Sequence, residues 1–267
     1  MNDGFKTEII GGLPLTTAGI ITARHAFTTR HGGVSDGICE SLNLGENRGD
    51  DPANVRENYR RLGNALGFDY RNLVFTRQIH GNEVRIVNAG DRHELFGGVP
   101  YDADGLVTNE PGVPLIAFTA DCAPLLMHDP VAGVIAAVHC GWRGTVADII
   151  ASAVYRMERL GAVAANIRAA VGPAIGKCCF EVGPEVPEAI AALIGDRAEA
   201  LIVPGKPGKF YADLPGVCRA RLETLGVESG NIAVSDECTY CNSDKYWSHR
   251  ATNGQRGSQA AVIMLQA

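Results

Sequence analysis

The sequence lacks the features that would place a protein in a membrane or on a nucleic acid. No apolar run approaches the ~20 residues that a membrane-spanning helix requires. Lysine and arginine form no basic stripe, and the 24 basic residues are outnumbered by 30 acidic ones, for a net charge of −6. We therefore expect neither a membrane nor a nucleic acid as a partner.

We also expect no secretory leader, because the first twelve residues carry Asp3, Lys6 and Glu8 where a signal peptide has an apolar core. The chain nevertheless has eight cysteines. In a long chain without a leader, cysteines are typical of buried thiols and metal ligands rather than of disulfides. We expect a cytoplasmic protein.

Strand-like and helix-like segments alternate along the 267 residues, without a low-complexity linker or a repeat, which predicts a layered α/β or α+β fold. Apolar residues at helical spacing predict helices from Asp51-Pro52 to Gly67, from about Thr145 to Leu160, and from Leu214 to about Gly226. Apolar, β-branched runs predict strands at Val74–Ile79, Val84–Val87, Leu106–Thr108, Leu115–Ala120, Val134–His139, Ile167–Val171, Ile232–Ser235 and Ala261–Leu265. Loops are predicted at Asp91–Asp102 and Pro204–Gly208.

Three predicted strands end in a histidine or a cysteine: His80, Cys122 and His139. Two imidazoles and one thiolate suit zinc, and three protein ligands leave the fourth coordination position open to water or substrate. We predict that these side chains bind one metal ion. For each of them, the alternative is an ordinary buried residue with satisfied hydrogen bonds.

Two arginines lie beside glycines in a pattern typical of anion sites. Arg143 precedes a predicted helix, whose first backbone N–H groups also favour anions, and Arg30 is followed by His31-Gly32-Gly33. The alternative for Arg143 is a surface arginine paired with a nearby carboxylate, and for Arg30 it is a tight turn with a solvated arginine.

Cys238 and Cys241 have the two-residue gap of a zinc knuckle, which needs a second pair of ligands. The only neighbouring pair in the chain, Cys178-Cys179, is adjacent, which is poor geometry for two ligands of one tetrahedral ion. We therefore expect one of these two thiols in the core and the other facing a cleft.

In combination, the motifs resemble those of the YfiH-like family, also called laccase-domain or polyphenol-oxidase-like proteins. The resemblance covers nearly the whole chain. It rests on Thr29-Arg30-His31-Gly32-Gly33-Val34-Ser35, Ser41-Leu42-Asn43-Leu44, Gln78-Ile79-His80-Gly81, Asp102-Ala103-Asp104-Gly105, Thr119-Ala120-Asp121-Cys122, His139-Cys140-Gly141-Trp142-Arg143-Gly144, the stretch from Gly172 to Val182, Cys238-Thr239-Tyr240-Cys241 and Ser248-His249-Arg250.

The resemblance implies a single domain, 1–267, folded as a four-layer α/β/β/α sandwich similar to that of certain toxin deamidases. It also implies a zinc-dependent purine nucleoside phosphorylase that uses inorganic phosphate. The implied substrates are adenosine, inosine, guanosine and methylthioadenosine, and adenosine would also be deaminated. The family's metal site maps onto His80, Cys122 and His139. A homodimer is left open.

Under this hypothesis Arg143 and Arg30 contact phosphate or ribose, Asn43 contacts the substrate, and Asp121 orients a histidine ligand as part of the catalytic set. The chain departs from the family pattern in two places. Ala251 stands where a second arginine is frequent, and Cys140 places an additional thiol next to a metal ligand.

Three alternatives stay open. In a metal-free cysteine hydrolase, Cys122 would be the nucleophile and His139 or His80 the base. In a copper phenol oxidase, Met127 would be a weak axial ligand, although the sequence has no His-X-His pair. The third alternative is a protein that edits peptidoglycan precursors.

Overall fold

The computed structural model describes residues 4–99 and 101–266. Its strands are β1 (Phe5–Ile10), β2 (Leu13–Ala18), β3 (Arg24–Thr28), β4 (Val84–Ile86), β5 (Gly105–Thr108), β6 (Leu115–Thr119), β7 (Ala123–Asp129), β8 (Val134–Cys140), β9 (Arg168–Val171), β10 (Glu181–Val182), β11 (Ile202–Pro204), β12 (Phe210–Ala212), β13 (Ile232–Val234) and β14 (Gln259–Met264). Its α-helices are α1 (Pro52–Leu66), α2 (Trp142–Val146), α3 (Ile149–Glu158), α4 (Glu185–Ile194) and α5 (Leu214–Thr224). No helix in these described ranges is long and apolar enough to cross a membrane.

Two sheets face each other and carry helices on their outer faces. The first has the strand order β1-β2-β3-β14-β6, and the second has the order β13-β9-β7-β8-β5-β4. Helix α1 covers the first sheet, while α3 and α5 cover the second. The predicted single-domain α/β/β/α sandwich is therefore confirmed. The bounds 1–267 stay a prediction, since residues 1–3, 100 and 267 lie outside the described part.

Strand β7 illustrates how the sequence builds these layers. Its residues are all buried. Leu125 and Met127 pack against the helix layer, while Leu126 points into the core between the sheets. Because successive side chains of a strand point to opposite faces, a strand covered on both faces favours a continuous apolar run, which here extends from Ala123 to Met127.

Helix α1 begins and ends as predicted. The Asp51 carboxylate accepts a hydrogen bond from the backbone N–H of Ala53 at 2.8 Å, and Pro52 occupies the first turn. Gly67 ends the helix with φ 72°, a left-handed conformation that costs glycine little. The third predicted helix is also confirmed, as α5.

The predicted helix from Thr145 to Leu160 is wrong as a single element, because it is two helices, α2 and α3. The break lies at Asp148, which has φ 68°. The Asp148 carboxylate accepts hydrogen bonds from Arg221 at 2.6 and 2.8 Å, which holds the chain in this turn. The sequence contains no glycine or proline to signal the break.

The predicted strand Val74–Ile79 is also wrong. Val74 forms an isolated bridge to Leu115 in the first sheet, and Arg77 forms one to Asp102 beside the second. A segment that passes from one sheet to the other cannot continue a ladder with either. The other predicted strands are present within one or two residues at each end, whereas β1, β2, β3, β7, the small sheet β10-β12-β11 and α4 were not predicted.

Candidate metal centre

The crossing segment and two strand ends bring the three predicted metal ligands together. His139 lies near the end of β8, Cys122 lies in the turn between β6 and β7, and His80 ends the crossing segment. One ligand atom from each residue lies within 4.8 Å of the other two. The two imidazole rings are nearly perpendicular, with their centroids 4.8 Å apart. Side chains that are 17 or more residues apart in the sequence therefore share one small site.

Asp104 holds two of these ligands in place. Its fully buried carboxylate accepts hydrogen bonds from the backbone N–H groups of Ile79, His80 and Gly81 at 3.0, 3.0 and 2.9 Å. It also accepts one from Nδ1 of His139 at 2.8 Å. Nε2 of His139 is then the nitrogen left for a metal ion, an arrangement typical of histidine ligands. The sequence contained Asp104 within a motif but did not indicate this role.

The site perturbs the pKa values of both histidines. Burial, and next the neighbouring imidazole of His139, lower the pKa of His80. Burial also acts to lower the pKa of His139, but the Cys122 thiolate and the Asp104 carboxylate outweigh it and raise that pKa to about 9. The lowered pKa favours the neutral form of the His80 imidazole, which is the form that binds a metal ion. The negative neighbours of His139 favour the protonated form of its ring.

Two glycines make room for the His80 turn. A Cβ at Gly141 would lie 2.6 Å from Nδ1 of His80, and a Cβ at Gly144 would lie 2.4 Å from the carbonyl oxygen of Gly81. His80 itself has φ 61°, and Asp121, next to the cysteine ligand, has φ 83°. Backbone conformations that cost most residues 1–3 kcal/mol thus cluster at the proposed ligands.

Asp121 was predicted to orient a histidine ligand, but its carboxylate contacts other groups. Its carboxylate accepts hydrogen bonds from the Thr239 hydroxyl and from the backbone N–H of Arg250, both at 2.7 Å. The carboxylate that orients a histidine ligand is instead that of Asp104, on His139. Asp121 therefore fixes the loop that carries Cys122.

The additional thiol of Cys140 does not face the metal ligands. Cys140 is fully buried and packs beside Cys218 in the core between the second sheet and its helices. Because Cys140 follows His139 directly in a strand, the two side chains point to opposite faces of the sheet.

The metal centre opens into a cleft of about 900 Å³. This volume is within the range of small-molecule sites, which are ~300–1,000 Å³. Besides His80, Cys122 and His139, its walls contain apolar side chains and cationic ones. The apolar side chains are those of Phe75, Phe96, Val99, Phe118, Ile175 and Phe180. The cationic ones are Arg48, Arg77, Arg250 and Arg256, with His249 beside them.

Neither arginine predicted to contact phosphate lines the cleft. Arg30 stacks on Trp247, 4.1 Å from the ring centroid, and donates two hydrogen bonds to the carbonyl oxygen of Glu40. Arg143 is exposed and lies over the Trp142 ring. Both arginines thus contact aromatic rings rather than the cleft.

Asn43 is likewise removed from the cleft, because it is fully buried. Its amide group donates to the Gly45 carbonyl and the Asp50 carboxylate and accepts from the backbone N–H groups of Gly45 and Ser258. With its donors and acceptor occupied, Asn43 stabilises the loop that carries Arg48.

Three arginines that the sequence analysis did not select supply positive charge to the cleft: Arg48, Arg250 and Arg256. Within residues 4–99 and 101–266, none of them forms an ion pair. Burial, followed by repulsion from Arg48, lowers the pKa of Arg256 to about 10. Its buried Nε has no hydrogen-bond partner among the described residues. Unneutralised guanidinium groups in a cleft favour an anionic ligand.

Comparisons with known proteins identify relatives that align with nearly the whole chain. The family model described as multi-copper polyphenol oxidoreductase laccase matches residues 24–266. A purine nucleoside phosphorylase of Deinococcus radiodurans is 44% identical over 255 residues, which are 95% of this chain and 94% of that protein. Purine nucleoside phosphorylase YlmD of Geobacillus stearothermophilus is 35% identical over 268 residues, covering 98% of this chain and 97% of that one.

Two solved structures are also similar to the chain over nearly its whole length. The crystal structure of YlmD from Geobacillus stearothermophilus has a TM-score of 0.93 at 33% identity, over 99% of this chain and 100% of that chain. The structure of the hypothetical protein YfiH from Bacillus licheniformis has a TM-score of 0.91 at 31% identity, over 98% and 99% of the two chains. The match therefore covers the whole sandwich.

Proposed function

The chain belongs to the laccase-like YfiH family, described as multi-copper polyphenol oxidoreductase laccase, and from this membership we propose that it is a zinc-dependent purine nucleoside phosphorylase. Its relatives are named purine nucleoside phosphorylases. The observation that carries the proposal is a cleft that contains three potential metal ligands and a group of arginines that form no ion pair with described residues. A phosphorolytic enzyme must bind a nucleoside and an anion side by side.

The donor set of His80, Cys122 and His139 fits zinc. Imidazole nitrogen and thiolate sulfur are both common zinc ligands, at about 2.0–2.3 Å from the ion, so three donors within 4.8 Å of one another can share it. Bound there, zinc would supply Lewis-acid activation of an oxygen ligand at its open position. A blue-copper site is less compatible, because Met127 is buried in the helix-side core, about five residues or ~16 Å along β7 from Cys122.

The residues of the cleft would divide the work of phosphorolysis. This reaction breaks the bond between C1′ of the ribose and N9 of the purine, and a phosphate oxygen bonds to C1′ in its place. Arg48 and Arg256 would hold the phosphate by charge-assisted hydrogen bonds. The aromatic walls, with Phe75 and Phe118 in edge-to-face contact at 5.4 Å, offer apolar surface for the purine.

Adenosine, inosine, guanosine and methylthioadenosine are the proposed substrates, with deamination of adenosine as a second activity. For deamination, a metal ion held by His80, Cys122 and His139 would supply activation of water, which would take the role that phosphate has in phosphorolysis. The proposed place of action is the cytoplasm.

The test is release of free purine from each nucleoside, with and without phosphate, together with metal analysis of the purified protein. We expect one phosphate consumed per base released and loss of both catalytic-site zinc and turnover in His80→Ala and Cys122→Ala. Full phosphorolysis by either variant after its zinc is lost from this site would refute the proposal.

A second candidate function is favoured by one observation. Cys122, His139 and Asp104 lie in a chain of contacts like that of a nucleophile, a base and the group that orients the base. A metal-free cysteine hydrolase would need nothing from His80, whereas a zinc site needs it as a third donor. Alkylation separates the two, since a nucleophilic thiol is blocked at once and a zinc-bound thiolate is protected until a chelator is added.

A further inference from the structure

A second group of sulfur atoms lies outside the metal centre, and we name it the cysteine cluster. Its members are Cys178, Cys179, Cys238 and Cys241. All four sulfur atoms lie within 4.8 Å of one another. The Cys179 and Cys178 sulfurs are 3.4 and 3.7 Å from that of Cys241. The expectation that the adjacent Cys178 and Cys179 could not both approach Cys238 and Cys241 is therefore wrong.

The local backbone explains how adjacent cysteines can share one site. The N–H groups of Cys179 and Phe180 both donate to the carbonyl oxygen of Gly176, at 2.9 and 3.0 Å, so the chain turns tightly at Cys178-Cys179. In such a turn, successive side chains no longer point to opposite sides as they do in a strand. The expectation that one thiol would lie in the core assumed an extended chain.

We propose that the cysteine cluster binds one structural zinc ion, separate from the metal centre in the cleft. Zinc–sulfur bonds of about 2.3 Å in a tetrahedron place the sulfurs about 3.8 Å apart. The two sulfur separations of 3.4 and 3.7 Å lie at or slightly below this value, whereas a disulfide requires about 2.05 Å. An iron–sulfur cluster holds several irons between its four cysteines, so it requires a wider spacing than ligands of a single ion.

The surroundings of Cys238 support a thiolate ligand. The backbone N–H of Gly176 donates to its sulfur at 3.2 Å. The backbone N–H groups of Cys241 and Tyr240 also form hydrogen bonds with this sulfur. Such N–H groups would stabilise a metal-bound sulfur at Cys238.

The proposed ion would join two loops, the first of which lines the cleft through Ile175 and Phe180. Ala174 forms a β-bridge with Cys238. The neighbouring Thr239 hydroxyl donates to the Asp121 carboxylate, and the N–H of Ile175 donates to the Asp121 carbonyl. Since Asp121 precedes the ligand Cys122, a clamp between these loops would set the position of that thiolate. The cysteine cluster would therefore act as a positioning site.

The test combines metal counting with cobalt spectroscopy and does not depend on enzymatic activity. We expect two zinc ions per wild-type chain and one in Cys122→Ala. The Cys122→Ala substitution removes the sulfur donor of the cleft site. The zinc of this variant is then replaced by Co²⁺. Intense sulfur-to-cobalt charge transfer must then come from the cysteine cluster. Two disulfides in the cluster, seen as a mass four hydrogens below the reduced chain, would contradict the proposal, as would Cys122→Ala without zinc or charge transfer.

Serine variants provide the complementary result. Cys178→Ser and Cys241→Ser lie at exposed cysteines, and each should lower the zinc content from two ions to one. Cys218→Ala, a buried thiol outside both sites, should keep two. Unchanged zinc in both serine variants would overturn the inference. If a serine variant does not fold, the cobalt spectrum of Cys122→Ala still decides. A protein with two zinc ions but no phosphorolysis would refute only the proposed function.

Discussion

Replacement of Asp104 by asparagine should weaken metal binding although Asp104 is not a metal ligand. The carboxylate accepts four hydrogen bonds, three from the backbone at residues 79–81 and one from His139. An amide of the same shape has only one oxygen, so its NH2 group must face at least one N–H donor. At the Oδ1 position the NH2 group would face the donors of His80 and His139, and at the Oδ2 position those of Ile79 and Gly81. The turn at His80 loses support in either orientation, and the tautomer of His139 loses it in the first.

The magnitude follows from this geometry. Loss of a hydrogen bond that orients a metal-bound histidine typically costs about 10- to 100-fold in metal affinity, which corresponds to roughly 1.4–2.8 kcal/mol. The free energy of unfolding should fall as well, by about 1.5–3 kcal/mol for each charge-assisted bond that is lost. Zinc affinity is measured by competition with a chromophoric chelator, and stability by urea unfolding of the metal-free protein.

Asp102→Asn is the matched control, since Asp102 lies two residues earlier and its carboxylate forms a surface ion pair with Arg77. Such exposed pairs contribute little, so this variant should keep wild-type zinc affinity and stability. If Asp104→Asn bound zinc as tightly as the control, Asp104 would not orient the ligands and our account of the site would be wrong.

Three further predictions follow from single contacts. Gly141→Ala should lose zinc from the cleft, because the added Cβ would lie 2.6 Å from Nδ1 of His80. Metal analysis tests this, with circular dichroism to show that the variant is folded, and retained zinc would contradict it. Arg256→Gln should raise the KM for phosphate by about 10- to 150-fold, the equivalent of one charge-assisted contact of about 1.5–3 kcal/mol; an unchanged KM in initial-rate assays would exclude Arg256 from the anion site. Asp51→Ala should lower the free energy of unfolding by about 0.5–2 kcal/mol through loss of the α1 cap. Its zinc content should not change. Urea unfolding measures the effect, and wild-type stability would show that the cap contributes nothing.

Local signals were reliable where neighbours along the chain decide the structure. The start and end of α1 follow from Asp51, Pro52 and Gly67, all of which act within one turn of the helix. The motifs also identified the family, and the resemblance is confirmed by the matches to known proteins. Local reasoning failed at Asp148, where a distant arginine holds a left-handed turn, and at Val74–Ile79, where the chain passes between two sheets.

The choice of anion-binding residues shows the same limit. Arg30 and Arg143 were selected because glycines lie beside them, but an adjacent glycine does not determine which way a long side chain points. Arg48, Arg250 and Arg256 reach the cleft from segments about 200 residues apart. Only Arg250 lies in a recognised motif, and the neighbours of Arg48 and Arg256 do not distinguish them from surface arginines. Only the packed structure shows that none of the three forms an ion pair with a described carboxylate.

By itself, the sequence determined the layered α/β class, the ends of α1, the family and the three donor residues that suit zinc, because residue chemistry and short-range periodicity carry that information. Only the tertiary structure decided that Asp104 supports two of those donors, that other arginines line the cleft, and that four cysteines from two loops meet at one point. These are contacts between residues remote in the chain, and their distances depend on how the two sheets pack rather than on any local pattern.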